Sequence, residues 1–336
     1  MIEFKPQVKY AYSTGRVRVL ETKLLSNAKV DRMIESPTIS DALVYLEDTA
    51  YDDTLGEIRD PSRYEEMVKE EKKLLARLMG KLIFDSEIID LLKVTYDFVN
   101  LKMLIKGRLT GMDTSSMLSV FGTIPLSIMK QAFETENFNF LPAFAGEVTG
   151  EAIAHHYINK DLKTTEFLID GYEYNYKLSL AGKSKIPFLS YYVRTKIDLV
   201  NISTFLRIKY FHTSEDYDDV LIGGGELPKG FFLKMVGEPI ETVSSFFSNT
   251  PYAKVVLDSV RDIVEKGSFS TLDREVDNLI MRIMQLTRYV TFGIEPVVAY
   301  FIARQQDLNI VKMILVGKLN EIPAERMRER IPVTFN

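Results

Sequence analysis

The 336-residue chain contains no cysteine. That removes disulfide scaffolds, thiolate zinc sites and cysteine nucleophiles together, and it suits a reducing compartment. Only three histidines are present. His155 and His156 are adjacent, so on a helix they point about 100° apart and cannot share a metal. Neither they nor His212 sit in an H-E-x-x-H pattern. A basic surplus is also missing: 42 Lys and Arg stand against 47 Asp and Glu, a net charge of −5. This argues against a general binder of nucleic acid or anionic lipid. Long apolar runs are absent as well. "PVVAYFIA" (296–303) falls far short of the roughly 20 residues a membrane span needs. "MIEFKPQVKYAYSTGRVRV" at the start has no apolar core run of the signal-peptide kind. The expectation is a chain soluble on its own.

Motifs of catalysis are equally scarce. No G-x-S-x-G elbow occurs, and no motif singles out a pair of catalytic carboxylates. "GGGELPKG" (223–230) lacks the Walker order, because Lys229 precedes Gly230 and no Ser or Thr follows. It reads as a linker turn before a helix. The acidic stretches at 47–60 and 215–219 do not alternate as a calcium loop does, and read as solvated loops. "EEMVKEEKK" (65–73) reads as a solvated helix face. No catalytic residue, cofactor or metal is therefore expected.

What is present is helical periodicity, with glycine (18) and proline (12) sparse. Ile88, Leu91, Leu92, Phe98, Leu101, Ile105 and Leu109 recur at spacings near three and four. Thr38 with Asp41 resembles a capping box. Pro125, Pro239 and Pro323 suit first turns, and Ser270 with Asp273 marks a helix running to about Tyr289. "YEYNYKLSL" (172–180) alternates like a strand, but Tyr172, Tyr176 and Leu180 also lie four apart. The recurrence described next favours helix there, so the chain reads as all-α.

Three segments superimpose without gaps: "DFVNLKMLIKGRL" from Asp97, "DLVNISTFLRIKY" from Asp198 and "DLNIVKMILVGKL" from Asp307. Eleven positions after each aspartate comes a basic residue: Arg108, Lys209, Lys318. The third segment has Asn309 where the others read "VN". The second and third copies share Gly-x-x-Pro openings, "GTIP" at 122 and "GELP" at 225, and carry aspartates at Asp170 and Asp277. "TGMDTSS" (110–116) and "HTSEDYDD" (212–219) are polar, breaker-rich boundaries. The division is therefore into helical repeats 1–113, 114–215 and 216–336. Three like units suggest a pseudo-threefold arrangement. A lone carboxylate on a buried helix is costly unless paired. Repetition makes Asp97, Asp198 and Asp307 structural braces, each expected to be held inside its own unit by Arg, Lys, Tyr or backbone N–H. Arg16 or Arg18 would be the partner in the first copy.

The set "YAYSTGRVRVLETKLL" (10–25), "LEDTAYDD" (46–53), "YDFVNLKMLIKGRL" (96–109), "KIDLVNISTFLRIKY" (196–210) and "EPVVAYFIARQQDLNIVKMILVGKLNEIPAERMRERI" (295–331) resembles the C subunit of the A/V-type ATPases. That family includes the d subunit of the eukaryotic vacuolar ATPase. The resemblance covers nearly the whole chain. It implies a funnel-like body of three similar helical domains around a central cavity, without an active site. Its implied role is that of a central-stalk spacer between the axle subunits (a coiled-coil shaft and its small companion) and the proteolipid rotor ring. The implied location is cytoplasmic, peripheral on the membrane through that ring. The loops at "LEDTAYDD" (Asp52, Asp53) and "GGGELPKG" (Glu226, Lys229) are the expected partner contacts. A helical adaptor for other cytosolic partners is the competing expectation.

Overall fold

The computed structural model describes residues 4–52, 54, 63–213 and 216–336; Asp53 lies outside the described residues. Every regular element among them is helical. The chain forms two compact units, one of residues 85–240 and one joining 1–84 to 241–336.

In the continuous unit, helices α5 (Ser86–Thr110), α6 (Leu126–Glu134), α7 (Ala143–Asn159), α8 (Leu162–Ser184), α9 (Pro187–Phe211), α10 (Tyr217–Val220) and α11 (Lys229–Leu233) follow one another. Their ends obey local rules. Asp161 caps α8 by accepting the N–H groups of Lys163 (3.0 Å) and Thr164 (3.2 Å). Pro187 opens α9 at its first position, where the missing N–H is harmless. Gly111 closes α5 at φ 75°, a left-handed position that glycine takes without strain. The tyrosine stretch at 172–180 is helical, inside α8. Its four-residue spacing lays Tyr176 on Phe144 of α7, with ring centroids 4.2 Å apart. α5 lies along α8 and also packs on α6 and α7.

In the other unit, α1 (Ala11–Glu21), α2 (Asn27–Glu35), α3 (Ile39–Val44) and α4 (Tyr64–Leu82) come from the N-terminal part. The C-terminal part adds α12 (Val243–Phe246), α13 (Ala253–Lys266), α14 (Ser270–Gln285), α15 (Ile294–Leu319) and α16 (Ala324–Arg330). α14 passes into a 3-10 turn over Leu286–Tyr289. The capping box forms, Thr38 Oγ1 accepting the Asp41 N–H at 3.1 Å.

α15 is the axis of this core. Eighteen of its 26 residues are buried, and α1, α2, α3, α4, α14 and α16 pack against it. A helix covered on all sides can be apolar all round, which explains "PVVAYFIA" without a membrane. Among the described residues no helix is long and apolar enough to cross one.

The run 65–73 corrects its reading as a solvated face. Glu65, Glu66 and Lys69 are exposed, but Met67, Val68 and Glu71 are buried on the side of α4 that meets α15.

Candidate functional site

The three repeated aspartates are almost wholly buried: Asp97 and Asp198 at 0% exposure, Asp307 at 1%. Each is held in the same way. Asp97 Oδ2 accepts the Thr123 N–H (2.8 Å) and hydroxyl (2.6 Å), and its Oδ1 accepts the Ile124 N–H (3.0 Å). Asp198 accepts the N–H groups of Glu226 and Leu227, both at 3.1 Å. Asp307 Oδ2 accepts the Leu25 N–H at 2.9 Å. Ile124, Leu227 and Leu25 each directly precede the N-cap residue of a short helix: Pro125 of α6, Pro228 of α11 and Ser26 of α2.

All three carboxylates are hydrogen-bonded, but their partners are not where the repeat boundaries put them. Asp97 reaches past residue 113 to the opening of the second copy. Asp198 reaches past 215 to the opening of the third, and Asp307 returns to the opening of the first. Neither Arg16 nor Arg18 holds Asp97. Arg18 instead binds Glu21 at 2.9 Å and the carbonyls of Thr287 and Val290.

The basic residues eleven positions on grip the far ends of the same short helices. Lys209 Nζ donates to the carbonyls of Met235 and Val236, both at 2.9 Å, just beyond α11. Lys318 Nζ donates to Ile34 O (3.1 Å) and to Ser36 O, at the end of α2. Arg108 meets Glu136 at 2.9 Å, two residues past α6. Eleven residues of helix rise about 16 Å, close to the roughly 13 Å of the nine-residue α6 and α2; the five-residue α11 is shorter, and Lys209 reaches the carbonyls two and three residues beyond it. So each long helix holds the next opening helix at both ends, carboxylate by the N-terminus and cation by the C-terminus. That polarity matches the helix dipole.

A third tie exists in two of the three places. Asn100 exchanges both amide hydrogen bonds with the backbone of Ser119 (2.8 and 2.7 Å), and Asn201 does so with Ile222 (2.8 Å each). The matching position in α15 is Ile310, fully buried. The segment it would have tied lies four residues before Leu24, within α1. A helix already satisfies its own backbone, so an asparagine there would have nothing to bind.

The third clamp is also thinner. Leu24, the equivalent of Thr123 and Glu226, spends its N–H on Glu21 O at 3.0 Å. Asp307 Oδ1 is left buried without a hydrogen bond. Burial pushes its carboxyl up to about 7 from an ordinary 3.8, against the opposing pull of the Leu25 N–H and Arg304. Burial likewise raises Asp97, but its Thr123 and Ile124 hydrogen bonds oppose the shift.

Two glycines make the approach possible. A Cβ on Gly122 would lie 2.0 Å from Asp97 Oδ1, and one on Gly225 would lie 2.0 Å from Asp198 Oδ1. Gly225→Ala should therefore displace the carboxylate and destabilise the fold by about 1–3 kcal/mol in urea unfolding. Gly230→Ala, whose Cβ meets nothing within 4 Å, is the control and should be near neutral. Equal midpoints for the two variants would show that the close approach does not limit stability.

Beside the Asp307 clamp lies a buried ion pair. Arg304 and Glu71 are each 3% exposed and joined through Arg304 Nη2. The same nitrogen donates to Ala50 O at 3.1 Å, and the guanidinium lies 3.9 Å from the Tyr51 ring centroid. Burial raises the Tyr51 phenol. A pocket of about 300 Å³ opens over this pair, lined also by Lys23, Asp52 and Tyr300.

Of the expected partner contacts, Asp52 is exposed beside that pocket. Glu226 gives its N–H to Asp198, and its side chain lies 3.8 Å from Arg194. Lys229 donates to Asp218 O at 2.6 Å. His155 Nδ1 lies 3.3 Å from the Thr165 hydroxyl. Among the described residues no group of three or more His, Asp or Glu could hold a metal.

The clamps use equivalent positions from one end of the chain to the other, so a relative should match along its whole length. The profile of the ATP synthase (C/AC39) subunit family matches residues 13–330. The A-type ATP synthase C subunit of Desulfurococcus sp. is 27% identical, over 95% of this chain and 90% of that protein. That of Pyrococcus furiosus is 25% identical, over 95% and 89%. The V-type sodium ATPase C subunit of Enterococcus hirae is 23% identical, over 95% and 97%. A match spanning all three clamps makes this chain a member of the ATP synthase (C/AC39) subunit family.

Proposed function

We propose that this chain is a non-catalytic central-stalk component of a rotary A/V-type ATPase, a spacer coupling the rotating axle to the membrane rotor ring. Its partners on this reading are the coiled-coil shaft, the shaft's small companion and the proteolipid ring. It sits at the cytoplasmic face of the membrane through that ring, with no nucleic acid and no small-molecule substrate. The division into repeats 1–113, 114–215 and 216–336 belongs to the same reading. So do partner contacts at Asp52, Asp53, Glu226 and Lys229.

The observation that carries it, beyond family membership, is the double grip on each opening helix. A torque-transmitting body must not let its helices slide or roll over one another. Apolar contacts alone are non-directional. Hydrogen bonds at two points about 16 Å apart along one helix oppose both motions.

The test is reconstitution. The chain mixed with shaft, companion and detergent-solubilised ring should give one assembly holding them all by size-exclusion chromatography with light scattering. Failure to bind either shaft or ring would reject the coupler in favour of an adaptor. ATP turnover by the isolated, rigorously purified chain would reject the non-catalytic assignment.

A further inference from the structure

α1 buries one side against α15, while its other side faces out. Along that outer side Tyr12 and Val19 are 75% and 60% exposed, with Gly15 between them, and Val8, in the 3-10 turn Val8–Tyr10 that leads into α1, is 80% exposed. On α1 itself, positions 12, 15 and 19 are spaced three and four. That is the seam spacing by which one helix packs its knobs into another.

Gly15 sharpens the point. It lies mid-helix, where glycine lowers stability relative to alanine. Yet a Cβ there would meet nothing within 4 Å, so no neighbour in this chain requires its absence. The notch it leaves faces outward, where an incoming side chain can seat.

Charge says what kind of helix fits. Arg16 is exposed on one flank of the seam, with Lys9 exposed just before α1 and Lys23 just after it. Residues 4–23 carry five basic side chains and a single acid, Glu21, which Arg18 already holds at 2.9 Å. This lies in a chain whose total is −5. At the N-terminal end, Gln7 donates to Phe292 O at 3.1 Å. Beside that link is a pocket of about 470 Å³ lined by Phe4, Pro6, Leu286, Tyr289 and Phe292. Tyr289 is 90% exposed there.

We propose that this face of α1 is a docking seam for an acidic amphipathic helix of the shaft, its apolar edge seated on the Gly15 notch and one large apolar side chain anchored in the 470 Å³ pocket. The proposal rests on the coupler reading above. A second copy of this chain would set two basic flanks against each other. A lipid surface would ask for a broad apolar sector, not a narrow notched stripe.

The experiment uses the full chain and the purified shaft protein, with affinity measured by calorimetry. Gly15→Leu fills the notch, and Lys9→Glu/Arg16→Glu/Lys23→Glu reverses the flank. Each should weaken shaft binding about tenfold or more while circular dichroism stays native. Gly15→Ala should raise Tm and still weaken binding, a split that a merely structural role would not give. Shaft binding by wild type with unchanged affinity in all three variants would overturn the seam and leave the coupler intact. No shaft binding by wild type would overturn the coupler itself. Vesicles of phosphatidylcholine and phosphatidylglycerol and a sedimentation run for self-association complete the set. If charge reversal abolishes either of those while leaving shaft binding unchanged, the face belongs to lipid or to a second copy, and the seam is wrong.

Discussion

Arg304→Met should destabilise the fold by about 3–5 kcal/mol, the usual consequence of stranding one member of a buried ion pair. Arg304 and Glu71 are each 3% exposed, and losing the guanidinium would leave the Glu71 carboxylate to the Thr54 hydroxyl and whatever water the adjoining pocket admits. Arg304 also holds Ala50 O and lies over Tyr51, so its loss unpins the segment that precedes α4 as well. The remedy follows from the same physics. Glu71→Leu added to Arg304→Met removes the stranded charge, and the pair of apolar residues should recover most of the lost stability. Urea unfolding of wild type, single and double variants measures both quantities. An Arg304→Met variant within about 1 kcal/mol of wild type would mean the pair is not buried in solution.

A pH effect of similar size is expected from the clamp at Asp307. Its carboxyl titrates at about 7 in the fold, against an ordinary 3.8. Between those values the folded chain keeps a proton that the unfolded chain has released. Stability must then fall as pH rises from about 4 to about 7, and level off above. Three pH units correspond to at most about 4 kcal/mol. The groups facing Asp307 are Arg304 on its own helix, the Leu25 N–H, and Glu71, Tyr51 and Tyr300, which share its field through Arg304. Asp307→Asn keeps an oxygen for the Leu25 N–H and removes the proton. The variant should gain on wild type as pH rises from about 4 to about 7, with no further gain above. Other carboxyls are raised too, Asp170 and Glu295 among them, so the difference between the two chains is the measurement. Parallel stability curves from pH 4 to 8.5 would show that Asp307 is not the source.

At Asp97, whose carboxyl burial also raises, the matching substitution should instead cost stability through its hydrogen bonds. Both of its oxygens accept N–H groups, and an asparagine would turn its own NH₂ toward one of those donors.

How far the sequence foretold this is best judged at individual residues. The aspartates, the basic residues eleven positions on and the Gly-x-x-Pro openings were all legible, because each recurs at a near-constant offset. That they belong to one clamp was not. Cutting the chain after each long helix put the aspartate at the end of one copy and its partner at the start of the next. For Asp307 the partner lies 282 residues back, beyond any local pattern. Glu71 was hidden differently. Its neighbours Glu65, Glu66 and Lys69 are solvated, and only the turn of the helix against α15 singles it out. The strand-like tyrosines resolved as helix because their four-residue spacing found a partner in Phe144.

The return of Asp307 to Leu25 has a consequence for how the molecule is made. The unit of residues 85–240 is continuous, and all of it has been made once residue 240 is synthesised. The other unit is split across the two ends of the chain. Its first 84 residues are made long before α15, their central packing partner, exists. At ordinary elongation rates Leu25 waits roughly 15 to 60 s for Asp307. Asn336 follows later still, its side chain donating to Glu21 O at 2.9 Å. On the ribosome, the segment around Leu25 is made well before the fold can finish it.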